Sequence, residues 1–562
     1  MKRRLLLALA SGLVGVLAFP PFGVWPLAML SVAGLSSAVH GRRCRHGAWL
    51  GFAFGVGLFA PMLHWTSTYV GAVPWLVLVF SQTWYLAALG AVLPLVARLR
   101  WAPVFTAALW VAEEALRDRL PFGGFPWGRW AFSQSESPLK WFAALGGAPL
   151  VSFMVALAGA GLAAAIVGRP AAAQPAWAAG VLAAGGRGSW WSTGPRRGRL
   201  GGAVLALLVI VVGAGLAWPL RPDLSHQRTI TVAAIQGDVP DRGLEFNARR
   251  RQVLDNHVNQ TLALAAEIKA GTVARPSVVL WPENASDIDP TDNPDAAQQI
   301  QRATDAVGVP ILVGALLDGP GPDHVTNAGI VWMPSGSAQP GPGQRYVKRH
   351  PVPFAEYIPL RSLARRVSNK VDLVQRDMVA GSGNGLISQT PVPLGDVICF
   401  EIAYDGLVNS SVRAGAQLLV VQTNNATFGH SGETYQQLAM TRLRAIEHAR
   451  TVVQVATSGK SAIIDADGHT LAQSGALFTP AVLVSTVALS TSTTLATRTG
   501  AGAEWLLVAI ALLGLVLGGR PWARARRGSR PLPESRPDRP VDDQDLTEPA
   551  ALTAGLPREG RG

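Results

Sequence analysis

Charge is spread so unevenly along this chain that a single soluble fold is excluded. Before Pro219, long stretches contain almost no Asp, Glu, Lys or Arg, whereas the block from Arg228 to about Ser490 has the mixed polarity of an ordinary globular domain. Only 15% of all residues are charged, against about a quarter in a typical soluble domain. Apolar runs of this kind need lipid to cover them, so the chain divides into a membrane part and a soluble part. The runs extend approximately over Leu5 to Ala18, Trp25 to Val39, Ala48 to Leu63, Val73 to Val96, Val104 to Leu116, Phe142 to Val167, Ala203 to Trp218 and Trp505 to Leu517, about eight spans. Several are shorter than the roughly 20 residues that cross a bilayer, so flanking Gly, Trp and polar residues must complete them. The first two also read as one re-entrant hairpin. Glu113 and Glu114, near the end of the fifth, must reach an interface or a polar cavity. The expected layout is a polytopic α-helical membrane domain over 1–220 with seven spans and a cytoplasmic loop near 169–200. A soluble domain over 228–490, an eighth span over 502–520 and a disordered cytoplasmic tail over 528–562 follow it.

The basic residues support this layout. Lys2, Arg3 and Arg4 precede the first span, Arg42, Arg43 and Arg45 follow the second, and Arg98 and Arg100 follow the fourth. Arg169, Arg187, Arg196, Arg197 and Arg199 follow the sixth, and Arg520, Arg524, Arg526 and Arg527 follow the eighth. All fall on one side, which the positive-inside rule makes cytoplasmic, so the soluble block lies outside the cytoplasm on a multi-pass cell-membrane protein. The loop from Arg117 to Lys140 carries basic residues on the other face, accompanied by Asp118 and Glu136. The net charge of +13 would suit nucleic acid, but the cations sit in clusters between apolar runs rather than along one face, so no nucleic-acid partner is expected. The basic start and short first run also fit a cleaved signal peptide. Phe19-Pro20-Pro21-Phe22-Gly23 replaces the small-residue cleavage site, however, so retention is expected.

Within 228–490, short β-branched runs alternate with helical patterns, among them TITVAAIQG, a helix from about Phe246 to Lys269, SVVLWPE, a helix near Ala296 to Ala306 and PILVGALL. VTNAGIVWM, GDVICFEIAY, AQLLVVQTNN, a helix from about Thr434 to Ala449, TVVQVAT and AVLVSTVAL complete an α/β layered domain with more strands than one doubly wound sheet needs. No G-x-S-x-G, H-E-x-x-H or C-x-x-C occurs. Gly459-Lys460-Ser461 imitates the end of a phosphate loop, but Gln454 stands where its first glycine belongs. The two cysteines, Cys44 and Cys399, provide neither a disulfide framework nor a cysteine-rich metal site, and no metal or cofactor is expected.

Three polar residues stand out in apolar or strand-end settings. Glu283 ends VVLWPE, Lys348 lies in RYVKRHPVPFAEYIP and Cys399 in GDVICFEIAYD. An isolated cysteine usually packs as a small hydrophobe. Outside the cytoplasm an unpaired thiol is exposed to oxidation, and Cys44 is expected across the membrane, which favours a reactive role. Alone, Glu283 also fits a helix cap and Lys348 a solvated loop charge, and neither is assigned to the core. Together the three make a coherent chemistry: a thiolate nucleophile, a base to take its proton, and an ammonium that favours the thiolate and stabilises an oxyanion.

This set resembles the Glu-Lys-Cys triad of the nitrilase superfamily of carbon-nitrogen hydrolases, in order and local context. The wider chain resembles a membrane-anchored branch, the apolipoprotein N-acyltransferase family, through PPFGVWPLA at Pro20 to Ala28, GFPW at Gly124 to Trp127, VPFAEYIP at Val352 to Pro359 and NNATFG at Asn424 to Gly429. The resemblance covers roughly 1–520, apart from the long loop. It implies an αββα sandwich with Cys399 as nucleophile, Glu283 as general base and Lys348 as oxyanion-stabilising cation. Glu356 matches a second active-site glutamate, for which a loop salt bridge is the bland reading, and Glu401 matches a further carboxylate. Phe400 stands where well-known relatives carry tyrosine, and Phe246 near where the family often has tryptophan. Arg442, Arg444 and Glu447 share a helix and read as a structural ion-pair set. The implied reaction moves an acyl chain from a phospholipid, through a cysteine thioester, to the α-amino group of the diacylglyceryl cysteine of an apolipoprotein, the last step of lipoprotein maturation, in a monomer. A membrane-tethered amidase using the same triad is the alternative. A non-catalytic scaffold is disfavoured by the intact set of three.

Overall fold

The structure is a computed structural model that describes residues 1–167, 195–239 and 250–527. The loop near 169–200 lies mostly outside the described residues, and Phe246 and the tail from 528 lie wholly outside them. Met1–Gly518 forms one compact unit. Only helices of seven residues or more are numbered.

Helices coincide with all eight apolar runs: α1 (Lys2–Val16), α2 (Pro26–Val39), α3 (Cys44–Met62), α4 (Ala72–Val96), α5 (Ala102–Arg117), α6 (Ala143–Val167), α7 (Pro195–Leu220) and, last in the chain, α13 (Gly502–Arg527). Among the described residues, four segments are long and apolar enough to cross a membrane by length and composition: Ala72–Val96, Pro138–Val167, Arg199–Leu220 and Gly502–Gly519. Small residues let the helices approach closely, as lipid-embedded packing requires. A Cβ on Gly51 of α3 would stand 2.0 Å from the Leu86 carbonyl of α4, and one on Gly90 would stand 2.3 Å from the Gly47 carbonyl.

Glu113 and Glu114 are resolved by ion pairing inside the protein. Glu113 meets Arg117 at 3.1 Å, and Glu114 meets Arg129 at 3.5 Å while accepting the Trp130 N–H at 2.8 Å. The segment after α5 is therefore far from a free basic loop: Trp127, Arg129, Trp130, Phe132 and Gln134 are all buried. Arg117 helps to fold it back by donating to the Phe125 and Trp127 carbonyls at 2.9 and 2.6 Å.

The soluble domain explains its surplus of strands by having two sheets. The first takes the order β13-β1-β2-β3-β4-β5, with β6 beside β4. Its members are β1 (Thr229–Gln236), β2 (Val278–Leu280), β3 (Ile311–Asp318), β4 (His324–Met333), β5 (Gly341–Val347), β6 (Asp377–Met378) and β13 (Ala481–Ala488). The second takes the order β12-β11-β10-β9-β8-β7, from β7 (Leu386–Ile387), β8 (Leu394–Ile398), β9 (Leu418–Thr423), β10 (Val452–Ala456), β11 (Ala462–Ile464) and β12 (Thr470–Gln473). Each sheet has three parallel central strands, β1-β2-β3 and β8-β9-β10, with antiparallel neighbours. Central strands covered on both faces read as continuous apolar runs, which accounts for VVLW and LLVV.

Alternation along β1 assigns the layers. Val232 and Ala234 face the second sheet across a core that includes Leu418, Val420 and Val453. Ala233 and Ile235 point the other way, onto α8 (Arg250–Lys269) and α9 (Pro294–Val307), through Leu254, Val258 and Ile300. After α10 (Arg361–Val367), the outer face of the second sheet is covered by α11 (Asp405–Arg413) and α12 (Glu433–His448). Its residues Val397, Leu419 and Val421 belong to one continuous core with Leu443 and Ile446 of α12 and with the membrane helices. The expected αββα sandwich is observed, with one helical layer seated on the membrane domain.

Candidate active site

Cys399 is the first residue after β8 and opens a tight helical turn, Cys399–Ala403. Its φ of +53° lies in the left-handed region, which is strained for a residue with a side chain. Glu401 holds this turn. Its buried carboxylate accepts the Ile398 N–H at 2.9 Å on one side, and the Arg349 N–H at 2.7 Å, the His350 N–H at 3.2 Å and the Tyr346 hydroxyl at 2.9 Å on the other. It thereby stitches the segment carrying Cys399 to the segment carrying Lys348.

Lys348 is buried, with 1% exposure, between two carboxylates. Its Nζ donates to Glu283 Oε1 at 2.9 Å and to Glu356 Oε1 at 2.6 Å. Glu283 is oriented by Asn327 Nδ2, 2.7 Å from Oε1, and by the Asn424 N–H, 3.0 Å from Oε2. Glu356 accepts the Val352 N–H at 2.9 Å. Burial alone would lower the Lys348 pKa, but Glu283 and Glu356 outweigh it and hold the ammonium well above its usual range. Burial raises the Glu356 carboxyl, against the opposing charge of Lys348. The Cys399 thiol is pushed up by burial first and by the Glu283 charge second, with Lys348 opposing. Burial and the Glu283 charge thus favour the thiol form of Cys399, and Lys348 favours the thiolate.

The structure also gives partners to Phe400 and to the ion-pair set of α12. Phe400 makes aromatic contacts: its ring stacks on Phe125 at 5.7 Å and on Trp127 at 6.0 Å, and meets Tyr404 edge-on at 5.4 Å. The residue after Cys399 thus packs against the GFPW segment, Gly124 to Trp127. The triplet Arg442, Arg444 and Glu447 separates, because residues two apart on a helix diverge. Arg444 pairs with Glu447 and, at 2.7 Å, with Asp405, whereas Arg442 turns away to Glu136.

Sequence reasoning missed Asn327, Tyr346, Thr423, Asn425, Glu433 and Gln437. Asn425 lies within NNATFG, and the others carry no local signal. Thr423 Oγ1 and Gln437 Nε2 lie 3.3 and 3.6 Å from Cys399 Sγ. Glu433, at the start of α12, is buried and held by Asn425 Nδ2 at 2.8 Å. Burial raises its pKa to about 8, with the Asn425 bond opposing and the charge of Glu283 adding. Among the described residues one cluster has metal-ligand spacing, Asp465, Asp467 and His469, and there Asp467 already pairs with Arg221 at 2.6 Å.

The same division of the chain appears in its relatives. Residues 11–161 match the apolipoprotein N-acyltransferase N-terminal domain and residues 231–497 match the carbon-nitrogen hydrolase domain. An amidase of the nitrilase superfamily from Nesterenkonia AN1 aligns at 15% identity and a TM-score of 0.36, over 49% of this chain and 96% of its own. The apolipoprotein N-acyltransferase of Pseudomonas putida is 31% identical, across 83% of this chain and 88% of its own length. That of Mycolicibacterium smegmatis is 40% identical, across 91% and 85%. Matches of this extent run through the helical part and the sandwich together, and they make the chain a member of the apolipoprotein N-acyltransferase family.

Proposed function

We propose that this enzyme N-acylates apolipoproteins, with Cys399, Glu283 and Lys348 carrying the chemistry and a phospholipid as acyl donor. The observation that carries the reading is Lys348, buried between Glu283 and Glu356 and within electrostatic reach of Cys399. In the first step Glu283 takes the thiol proton and the sulfur attacks the ester carbonyl carbon of the phospholipid. Lys348 stabilises the tetrahedral oxyanion, the carbon–oxygen bond breaks, and the lysophospholipid leaves with the proton returned from Glu283. In the second step the free α-amine of the diacylglyceryl cysteine attacks the thioester and passes a proton to Glu283. The carbon–sulfur bond breaks, the thiol is restored and the acyl chain is left in amide linkage. Glu356 holds the cation in place, while Glu401 and Phe400 position the turn that begins with Cys399.

Both substrates are lipid-anchored, which is the physical reason to mount a hydrolase-type sandwich on membrane helices: lateral diffusion brings them to the thiol. The reading includes eight spans, seven in 1–220 and one in 502–520, the sandwich of 228–490 outside the cytoplasm, a cytoplasmic loop and tail, and a monomer in the cytoplasmic membrane. Its support is the basic clusters that all fall on one side.

Intact mass spectrometry of protein incubated with phospholipid tests the chemistry. An acyl increment is expected on Cys399 and is lost in Cys399→Ser, because a hydroxyl is far less acidic than a thiol. A Ser variant that retained most of its turnover would remove Cys399 from the mechanism. Adding a diacylated lipopeptide should then yield triacylated product, whereas free fatty acid alone would mark an amidase-like hydrolase. Reporter fusions near Asp318 and after Arg530 test the orientation: the first should work outside the cytoplasm and the second should not.

A further inference from the structure

The sulfur of Cys399 has two neutral hydrogen-bond donors for which the reaction above has no use. β8 and β9 run parallel with Ile398 opposite Gln422, so the next residue of each, Cys399 and Thr423, emerge side by side. Thr423 Oγ1 lies 3.3 Å from Sγ and 2.9 Å from Gln437 Oε1, and Gln437 Nε2 lies 3.6 Å from Sγ. Both residues are wholly buried.

The surrounding bonds decide which way each amide points. Gln437 Oε1 accepts from Thr423 and from Asn425 Nδ2, the latter at 2.9 Å, so its Nε2 must face the sulfur. Asn425 is oriented in turn, because its Nδ2 also donates to Glu433 Oε2 at 2.8 Å while its Oδ1 accepts from Thr434 Oγ1 at 3.5 Å. Reversing Gln437 would set donor against donor at Asn425.

Thr423 carries one hydroxyl proton and faces two acceptors. While the sulfur is a thiol, a weak acceptor, the proton belongs on the nearer Gln437 oxygen. When the sulfur becomes a thiolate, its charge makes it the stronger acceptor and the hydroxyl can turn to it. Gln437 Oε1 is not orphaned by that move, because Asn425 still donates to it. Lys348 cannot replace these donors on its own. It has three N–H groups, and two are engaged by Glu283 and Glu356, leaving one for the developing oxyanion.

We infer that Thr423 and Gln437 form a thiolate-binding pair: a hydroxyl proton that switches to the sulfur as it ionises, and an amide held ready beside it. The inference rests on Cys399 being the nucleophile. It concerns both steps, since the thiolate is the attacking group in the first and the leaving group in the second.

The test measures two rates in a Cys44→Ser background: iodoacetamide alkylation of Cys399 from pH 7 to 9, followed by peptide mass, and single-turnover acylation by phospholipid. Thr423→Val removes the hydroxyl at nearly constant shape. It should raise the thiol pKa by about one unit and slow alkylation about tenfold at each pH. Thr423→Ser should restore both rates. Gln437→Met should displace the alkylation profile in the same direction and by less, its contact being longer. An undisplaced profile in both Thr423→Val and Gln437→Met would overturn the inference, as would a Ser variant as slow as the Val variant, which would show that only the packed methyl matters. Should Thr423→Val fail to fold, Gln437→Met decides alone. If the parent protein acquires no acyl group on Cys399, it is the nucleophile assignment that fails, and the pair falls with it.

Discussion

Replacing Lys348 with Met tests both the stability and the chemistry of the site. Read from sequence, Lys348 sits outside the core and Lys348→Met should fold normally; the structure reverses that expectation. One ammonium, 1% exposed, neutralises two carboxylates at 2.9 and 2.6 Å. Removing one partner of a buried ion pair costs about 3–5 kcal/mol, because the remaining charge is uncompensated, and here two charges are left. The variant can limit the loss only by protonating a carboxyl. Burial already raises the Glu356 carboxyl, and the ammonium that opposed this is gone, so the native state takes up a proton that the unfolded state does not. Stability is consequently lost as pH rises, and the deficit of Lys348→Met is largest near pH 8 and shrinks toward pH 5. Lys348→Met/Glu356→Gln removes one of the two orphaned charges and should recover roughly half of the deficit, since residues in contact do not behave additively. It should not recover acylation, which stays down by about 10² or more for want of the cation proposed to stabilise the oxyanion. The assays are unfolding in one detergent from pH 5 to 8 and single-turnover acylation of Cys399. A Lys348→Met protein as stable as the parent at pH 8, or a double variant acylating at the parental rate, would refute the reasoning.

Glu401→Gln keeps the volume but puts a donor opposite the Ile398 N–H, 2.9 Å from Oε2, leaving a buried donor unmatched at a cost of about 1–3 kcal/mol. Unfolding midpoints should fall and acylation should slow with them, and a slowed reaction at unchanged stability would contradict the stapling role. Glu433 has its pKa raised to about 8 in the folded protein, so it contributes a loss of stability as pH rises from about 4.5 to 8. Glu433→Gln should flatten that part of the stability–pH curve, and an unchanged slope would show that the carboxyl is not neutral at pH 6. Cys44→Ser should leave turnover unchanged, because Cys44 begins α3 and belongs to no part of the site. A drop in specific activity at normal expression would tell against that.

Sequence reading located the elements because each carries its own periodicity. The apolar runs became helices at nearly the expected residues, since lipid-facing segments must satisfy their backbone internally. The helix expected near Ala296 to Ala306 is α9, Pro294–Val307, capped by Asn293 Oδ1 accepting the Asp295 and Ala296 N–H groups. The helix expected from Thr434 begins one residue earlier. Glu283, Lys348 and Cys399 stood out for an equally local reason: a charge or a thiol at the end of an apolar strand has to be accounted for.

What the residues do to one another is another matter. Lys348 and Glu283 are 65 positions apart, Glu401 and Arg349 52, and Gln437 and Cys399 38. No periodic pattern encodes such distances. The order of strands within the two sheets, Glu401 as a staple, Phe400 against Phe125 and Trp127, and the Arg117 to Lys140 segment folded inward all depend on which strands pair and which faces meet. Thr423 and Gln437 are the clearest case. A threonine ending an apolar strand and a glutamine inside a helix are unremarkable by composition, and only the parallel register of β8 and β9 and the placement of α12 over that edge bring their donors to the sulfur. Local physics is written in consecutive residues, whereas a site is a meeting of strand ends that packing alone decides.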